Sequence, residues 1–248
     1  MSATTVEFFK YKYGYEIEGM WMPRVTAITS LVSKASMFAP RASADWGTLV
    51  HETIGRSLKG DFQATDPRIG PTLRAFEQWK QEYHMEVRDL ASIEKRVFDP
   101  EYFFAGTVDF IAHIQGDAGV IDLKTSSMIR EEHLLQTAAY FAAYNKGVSS
   151  STQCTKRGIL RIDQFEECAG CFAKKRKKGA RATVSEGNPL CNHQWNTIQG
   201  HIEFKELENQ EEDFQAFLAA KEVWEWYYRS MLKRIANYPK RVTQKILL

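Results

Sequence analysis

Three largely apolar runs in the middle of the chain predict three consecutive β-strands. The runs Ile93–Phe98, Phe103–Ile114 and Gly119–Lys124 are rich in β-branched and aromatic residues. A sequence typical of turns, Gln115-Gly116-Asp117, separates the second run from the third. The three strands are therefore the predicted centre of the fold.

Helical spacing of apolar residues marks the segments on both sides of these strands. Three helices are predicted before them, over Thr26–Met37, from a cap at Ser43 or Asp45, and from about Pro71. The prediction after them is a helix over Met128–Tyr144, strands at Gly158–Asp163 and His201–Leu207, and a long helix capped by Asn209. This order predicts an α/β fold in which helices flank a mixed central β-sheet.

The N-terminal segment Val6–Met22 is rich in aromatic residues and contains turn sequences at Tyr13-Gly14-Tyr15 and Glu18-Gly19. Two short strands around these turns are predicted. The aromatic side chains either pack on the core or form a platform on which nucleobases stack.

Length and composition limit the classes of protein to consider. A chain of 248 residues provides one sizeable core, so we expect a single domain over residues 1–248. No apolar run reaches the ~18 residues of a membrane span. The first residues lack the pattern of a signal or transit peptide, and we expect a cytoplasmic protein without a membrane partner. The net charge is only +2, so any affinity for nucleic acid must come from local patches.

Candidate chemistry lies at the end of the third strand, in Asp122-Leu123-Lys124. Residues two apart on a strand share a face, so Asp122 and Lys124 emerge side by side while Leu123 points into the core. With Asp109 on the neighbouring strand, the two carboxylates can hold a hard divalent cation. The lysine can then orient a water molecule and offset charge on a phosphate. The alternative is a plain ion pair between Asp122 and Lys124.

Several motifs in this region resemble one enzyme superfamily. The segments Gly106–Asp109 and Val120–Thr125 resemble the core of the PD-(D/E)XK nucleases, which have a restriction-endonuclease-like fold. Within that superfamily the closest resemblance is to the RecB-like and Cas4-like exonuclease branch, including its phage and mitochondrial members. The motifs that resemble this branch are Met22–Ile28, the helical histidine motif Trp46–His51, and Gln136-x-x-x-Tyr140.

The resemblance implies a metal-dependent deoxyribonuclease that acts on DNA ends, in recombination, repair or CRISPR adaptation. It implies that Asp109, Asp122, the Leu123 carbonyl and His51 bind Mg²⁺ or Mn²⁺, while Lys124 positions water. Glu94 is a further catalytic candidate. Gln136 and Tyr140 either contact the substrate backbone or form a hydrogen bond at the edge of the core. The alternative function is a catalytically inactive DNA-binding or recombination subunit, against which the intact Asp–Asp–Lys set argues.

An insert over residues 166–200 carries a basic run and most of the cysteines. The cations Lys174, Lys175, Arg176, Lys177 and Lys178, with Arg181 nearby, form either a patch that follows DNA phosphates or a solvated loop.

Cys168, Cys171, Cys191 and His193 offer three thiolates and an imidazole, a set that suits tetrahedral Zn²⁺. An iron–sulfur cluster on Cys154, Cys168, Cys171 and Cys191 is the alternative, because Cas4-like nucleases carry four-cysteine clusters. Those relatives place one cysteine before the nuclease core, whereas here all four follow Tyr140. The third alternative is that these residues bind no metal.

Overall fold

The computed structural model describes residues 5–33, 41–62, 66–179 and 181–239. Its N-terminal half contains α1 (Val6–Tyr13), β1 (Gly14–Ile17), β2 (Met20–Pro23), α2 (Val25–Thr29), α3 (Arg41–Leu58), α4 (Gly70–Glu82), β3 (Ile93–Asp99), β4 (Phe104–Ile114) and β5 (Asp117–Lys124). The remaining elements are α5 (Glu131–Lys146), β6 (Lys156–Glu167), β7 (Lys174–Arg176), β8 (Thr183–Ser185), β9 (Gln199–Glu206), α6 (Gln210–Tyr227) and α7 (Arg229–Leu232).

The central sheet has the strand order β3-β4-β5-β6-β9. Strands β5 and β6 run parallel and are joined through α5, whereas the other neighbours in the sheet pair antiparallel. The short strands β7 and β8 extend from the C-terminal end of β6 as a hairpin. The predicted fold class, a mixed sheet flanked by helices, is confirmed.

Each face of the sheet is covered by its own hydrophobic core. On one face, Val120 packs with Phe217 and Trp224 of α6. On the other, Ile121 and Leu123 pack with apolar residues of α3 and α4. Consecutive residues of β5 thus point to opposite cores, as expected for a strand buried on both sides.

The N-terminal segment differs from the prediction. Residues Val6–Tyr13 form a helix because the Thr5 side chain caps it, accepting a hydrogen bond from the Phe8 amide at 3.2 Å. The predicted hairpin then follows as β1 and β2, with its turn at Glu18-Gly19, both at positive φ. Phe9, Tyr13 and Trp21 pack on the core through contacts with Trp224 of α6, whereas Phe8 and Tyr11 are exposed.

The helix predicted over Thr26–Met37 is shorter, because α2 ends at Thr29. Residues 34–37 of that prediction lie outside the described residues. Within the described ranges, every helix is too short or too polar to cross a membrane.

Candidate active site

Three carboxylates fall in one row across β3, β4 and β5. Glu94 lies opposite Asp109, because the flanking residues pair as Ile93–Phe110 and Lys95–Val108. Continuing the β4–β5 register one step past Phe110–Ile121 places Asp109 opposite Asp122. Acidic residues that are 28 positions apart in sequence, from 94 to 122, are thereby brought to one point of the sheet.

The alternation of side chains reverses at this row. Val108 packs in the core under α5 and α6, whereas Phe110, two residues later, packs in the core under α3 and α4. On β3, Glu94 has φ +53°, a conformation that is rare for a residue other than glycine. Strained backbone of this kind is concentrated at functional sites, because the surrounding structure must hold it in place. Because of this reversal, Glu94 and Asp109 do not follow the regular alternation of side chains along β3 and β4.

Asp109 is held between helix α3 and strand β5. Its Oδ1 lies 3.0 Å from His51 Nδ1, and its Oδ2 accepts a hydrogen bond of 2.6 Å from the Leu123 amide. Burial acts to lower the pKa of His51, but the hydrogen bond to Asp109 and the charges of both aspartates raise it. Burial likewise acts to raise the pKa of Asp109, but the hydrogen bond and charge of His51 and the charge of Lys124 lower it. His51 therefore contacts the predicted carboxylate directly.

Asp122 is almost completely buried, with 1% of its surface exposed. Its Oδ1 accepts a hydrogen bond of 3.0 Å from Gln136 Nε2. Its Oδ2 forms an ion pair with Lys124 Nζ at 2.5 Å. Burial, together with the nearby charge of Asp109, raises the pKa of Asp122 to about 6, although Lys124 acts in the opposite direction. The plain ion pair considered for Asp122 and Lys124 exists, but inside a buried network.

Gln136 and Tyr140 support this network from α5. Gln136 accepts a hydrogen bond of 3.1 Å from Lys124 Nζ and donates one of 3.1 Å to the Tyr140 hydroxyl. Tyr140 lies against Gly106, where a Cβ would come within 2.2 Å of its ring. Both side chains are buried, at 8% and 3% exposed, which favours the predicted core-edge hydrogen bond over contact with the substrate backbone. They position Asp122 and Lys124.

The donor set fits a hard divalent cation. The 3.0 Å contact between His51 Nδ1 and Asp109 Oδ1 is a hydrogen bond, and a cation that took both atoms as ligands would replace it. The buried Asp122 Oδ2 already faces the Lys124 ammonium at 2.5 Å, and Asp122 and Asp109 together offer two carboxylates to a cation. Glu94 lines the same cleft as His51 and Asp109, but its side chain is exposed.

The raised pKa of Asp122 predicts a dependence of stability on pH in protein freed of metal by EDTA. The folded state retains the Asp122 proton up to about pH 6, whereas the unfolded chain releases it near 3.8. This group therefore stabilises the fold below pH 3.8, and its contribution is lost as the pH rises through about 6. Asp122→Asn should raise Tm by several degrees at pH 8 and by much less at pH 4. Thermal unfolding at both values is the measurement, and an equal shift at both would contradict the assignment.

Several cations of the basic run form ion pairs with acidic residues of the protein. Lys174 and Lys175 form ion pairs with Glu186 and Glu166 respectively. Arg176 is buried and donates from Nε to Asp163 Oδ2 at 2.9 Å. These three cations hold the hairpin to the sheet, because acidic residues of β6 and of the hairpin itself lie opposite them. The other expectation was a solvated basic loop. Lys177 and Arg181 are exposed and are consistent with it.

Lys178 makes a contact that the sequence did not predict. Its ammonium donates a hydrogen bond to the carbonyl oxygen of Thr125, the residue after Lys124. Burial lowers the pKa of Lys178. The next residue, Gly179, approaches Ala42 of α3 so closely that a Cβ would come within 2.6 Å of it. The insert thus reaches the edge of the site, a contact that no local sequence pattern indicates.

A second feature missed at the sequence level surrounds Tyr15. Its ring lies between two guanidinium groups, with centroid distances of 4.5 Å for Arg24 and 3.7 Å for Arg96. The backbone of Arg24 also forms an isolated β-bridge with Ala105, the residue before Gly106. The residues come from three separate segments, so their proximity depends on the tertiary fold.

The predicted ligands of the insert come together. Ligand atoms of Cys168, Cys171, Cys191 and His193 all lie within 4.8 Å of one another. Cys154 belongs instead to the hydrophobic core beneath α5 and α6, where burial raises its pKa to about 12. The structure therefore does not assemble the four-cysteine set of the iron–sulfur alternative.

Comparison with known protein families identifies one superfamily. The family model of the PD-(D/E)XK nuclease superfamily matches residues 63–243. A search of curated protein sequences finds no match. One solved structure that resembles the chain is the crystal structure of a "Putative exonuclease" from Eubacterium rectale. It has 9% identity and a TM-score of 0.36, and the match covers 94% of this chain and 84% of that one. The two structures are too dissimilar for conclusions about the site to be transferred between them.

Proposed function

The chain belongs to the PD-(D/E)XK nuclease superfamily, and from this premise we propose that it is a metal-dependent deoxyribonuclease. The observation that carries the proposal is the buried network in which Asp109, Asp122 and Lys124 meet His51 and Gln136. An inactive relative that kept only the fold would not need a buried carboxylate such as Asp122, whose charge is costly to bury, beside the partly exposed Asp109.

We assign the catalytic cation to Asp109, Asp122, His51 and the carbonyl of Leu123. When bound, Mg²⁺ or Mn²⁺ supplies an activated water and stabilises charge on the phosphoryl oxygens. The imidazole favours Mn²⁺ somewhat, because nitrogen is a softer ligand than oxygen. Gln136 fixes the orientation of Asp122, and the reversed backbone at Glu94 and Asp109 keeps the carboxylates at the cleft.

Lys124 is the residue that we assign to the attacking water and the scissile phosphate. Its ammonium is held between Asp122 and Gln136, with 16% of its side chain exposed. A cation fixed in this way can donate to a water molecule or a phosphoryl oxygen without first being ordered. Glu94, at the rim of the same cleft, is a further candidate for a proton-transfer role.

The proposed substrate is DNA, with cleavage from an end in the manner of the RecB-like and Cas4-like branch. Support comes from the histidine motif, since His51 lies against Asp109, and from the Gln136–Tyr140 pair beneath Asp122. The exposed cations Lys177 and Arg181 are available to DNA phosphates. We propose recombination, repair or CRISPR adaptation as its setting, and one nuclease domain over residues 1–248 with an insert at 166–200.

Cleavage of end-labelled DNA tests the function. Purified protein is incubated with single- and double-stranded DNA labelled at the 5′ or the 3′ end, in Mn²⁺, in Mg²⁺ and in EDTA. We expect short products in metal and none in EDTA, and their size distribution reports whether cleavage starts at an end. Tight binding of DNA without any product in either metal would favour the inactive DNA-binding subunit instead.

His51→Ala is expected to weaken metal binding more than chemistry, because His51 would be a ligand and not the group that activates water. Cleavage at low Mn²⁺ should fall by about 10-fold or more, in the range seen when metal-site residues are removed. It should recover in part as Mn²⁺ is raised. A titration of the rate against Mn²⁺ for both proteins is the measurement. An unchanged midpoint would remove His51 from the site.

A further inference from the structure

The structure assigns a structural Zn²⁺ site to Cys168, Cys171, Cys191 and His193, and we propose that this ion holds the insert against the edge of the active site. The metal site stands independently of the proposed nuclease function. The role at the active site rests on that function.

The spacing of the four ligand atoms suits a tetrahedral zinc ion. Cys168 Sγ and Cys191 Sγ lie 3.9 Å apart, and Cys171 Sγ lies 3.4 Å from His193 Nδ1. A tetrahedron with Zn–S bonds of about 2.3 Å has sulfur atoms about 3.8 Å apart, and the shorter Zn–N bond gives an S–N distance of about 3.6 Å. A disulfide, with sulfur atoms about 2.0 Å apart, is excluded at 3.9 Å.

Backbone hydrogen bonds hold together the segments that carry these ligands. The amide of Cys168 donates to the Ala173 carbonyl at 2.9 Å, and that of Phe172 donates to the Cys168 carbonyl at 3.0 Å, which closes a tight turn between the first two thiols. Phe172 itself has φ +60°. The Ala169 amide then donates to Gln194 at 2.9 Å, linking this turn to the segment that carries the other two ligands.

The described part of the insert buries too little apolar surface to be ordered without a metal. Phe172, Val184 and Leu190 are exposed at 67%, 50% and 90%, and the half-buried Trp195 packs against His193 and the Lys175 ammonium. The buried positions between the first and last ligands are small or charged, as at Ala173 and Arg176. Segments that bury this little apolar surface are ordered through metal ligation, whose free energy becomes folding free energy.

The hairpin of β7 and β8 lies between Cys171 and Cys191 in sequence, so the proposed ion fixes both of its ends. From the hairpin, Arg176 reaches Asp163 of β6, and Lys178 reaches the carbonyl of Thr125 beside Lys124. Gly179 contacts Ala42 at the start of the helix that carries His51. Loss of zinc should therefore loosen the connection between α3 and the end of β5.

Metal content and cobalt substitution test the site directly. The full chain, purified without added metal, should contain about one zinc per chain by elemental analysis, as should Cys154→Ser, whose thiol lies in the core. Cys171→Ser should lose it. Cobalt added to zinc-stripped wild-type protein should give the strong visible bands of tetrahedral cobalt–thiolate coordination, a readout that does not depend on the folding of a variant. Absence of zinc with no cobalt bands, or bound iron with absorbance typical of an iron–sulfur cluster, would overturn the assignment.

Amide hydrogen exchange tests the role of the ion. After zinc is stripped, amides of Lys174–Arg176 should exchange at least 10-fold faster, while those of the central strand β4 should keep their protection. Equal protection of β7 with and without zinc would refute the structural role. Because neither experiment uses DNA cleavage, failure of the nuclease proposal and failure of the zinc proposal are distinguishable.

Discussion

Asp122→Asn is expected to lower the rate of metal-dependent DNA cleavage by ~10²-fold or more, about 2.7 kcal/mol of barrier. The reason is that Asp122 is the buried carboxylate on which the network converges, through Gln136 at 3.0 Å and Lys124 at 2.5 Å. Asparagine keeps the shape and the Oδ1 acceptor but removes the charge that would bind the cation. Single-turnover cleavage at saturating DNA and metal is the appropriate measurement.

The matched control is Asp117→Asn, at the start of the same strand. Asp117 is also paired with a lysine, Lys156, at 3.2 Å, but it lies at the opposite end of β5 and is about half exposed. Its substitution should leave the rate within about twofold of wild type, since exposed ion pairs contribute 0–1 kcal/mol. If Asp122→Asn were as active as Asp117→Asn, Asp122 would have no catalytic role.

Lys124→Met is expected to cause a loss of similar size, ~10²-fold in the cleavage rate, without a comparable loss of metal affinity. Methionine keeps most of the apolar stem, so the packing beside Gln136 is retained while the ammonium is removed. The loss should appear in the rate at saturating Mn²⁺. This distinguishes Lys124 from His51, whose variant should recover in part at high Mn²⁺.

Lys156→Met is the control for Lys124. Lys156 likewise contacts two acceptors, Asp117 and Glu206, both at 3.2 Å, but at the other end of the sheet. Its variant should cleave DNA at nearly the wild-type rate. A Lys124→Met protein that cleaved at the wild-type rate, or that lost activity only through weaker Mn²⁺ binding, would require a different assignment for Lys124.

Local patterns predicted the strands of the site well, because β4 and β5 are buried on both faces and rich in β-branched and aromatic residues. The strand predicted over Gly119–Lys124 begins two residues earlier, at Asp117, and ends at Lys124 as predicted. The spacing of Cys168, Cys171, Cys191 and His193 likewise predicted a cluster that the structure assembles. In both cases the information lies within one continuous segment of the chain, the strands themselves or the stretch from Cys168 to His193.

The features that the sequence did not predict depend on tertiary contacts. The alternation of side chains along β3 and β4 reverses at Glu94 and Asp109, and no local sequence pattern marks that reversal. The segment Val6–Tyr13 contains many aromatic residues typical of strands, but the Thr5 cap and contacts of Phe9 with Trp224 favour a helix.

The contacts of the charged residues in the basic run were likewise not predictable from the sequence. Five consecutive cations suggested a free patch, whereas Arg176 is buried on Asp163, 13 residues earlier. The pairing follows from the way the hairpin folds back on β6, and sequence distance alone does not reveal it.

The most direct test of the central claim is the anomalous scattering of Mn²⁺ in a crystal of the protein. The proposed site predicts a strong peak in contact with Asp109 and Asp122 and with the imidazole of His51, and its absence in Asp122→Asn crystals. A peak elsewhere, with none at these carboxylates under the Mn²⁺ concentration that supports cleavage, would contradict it.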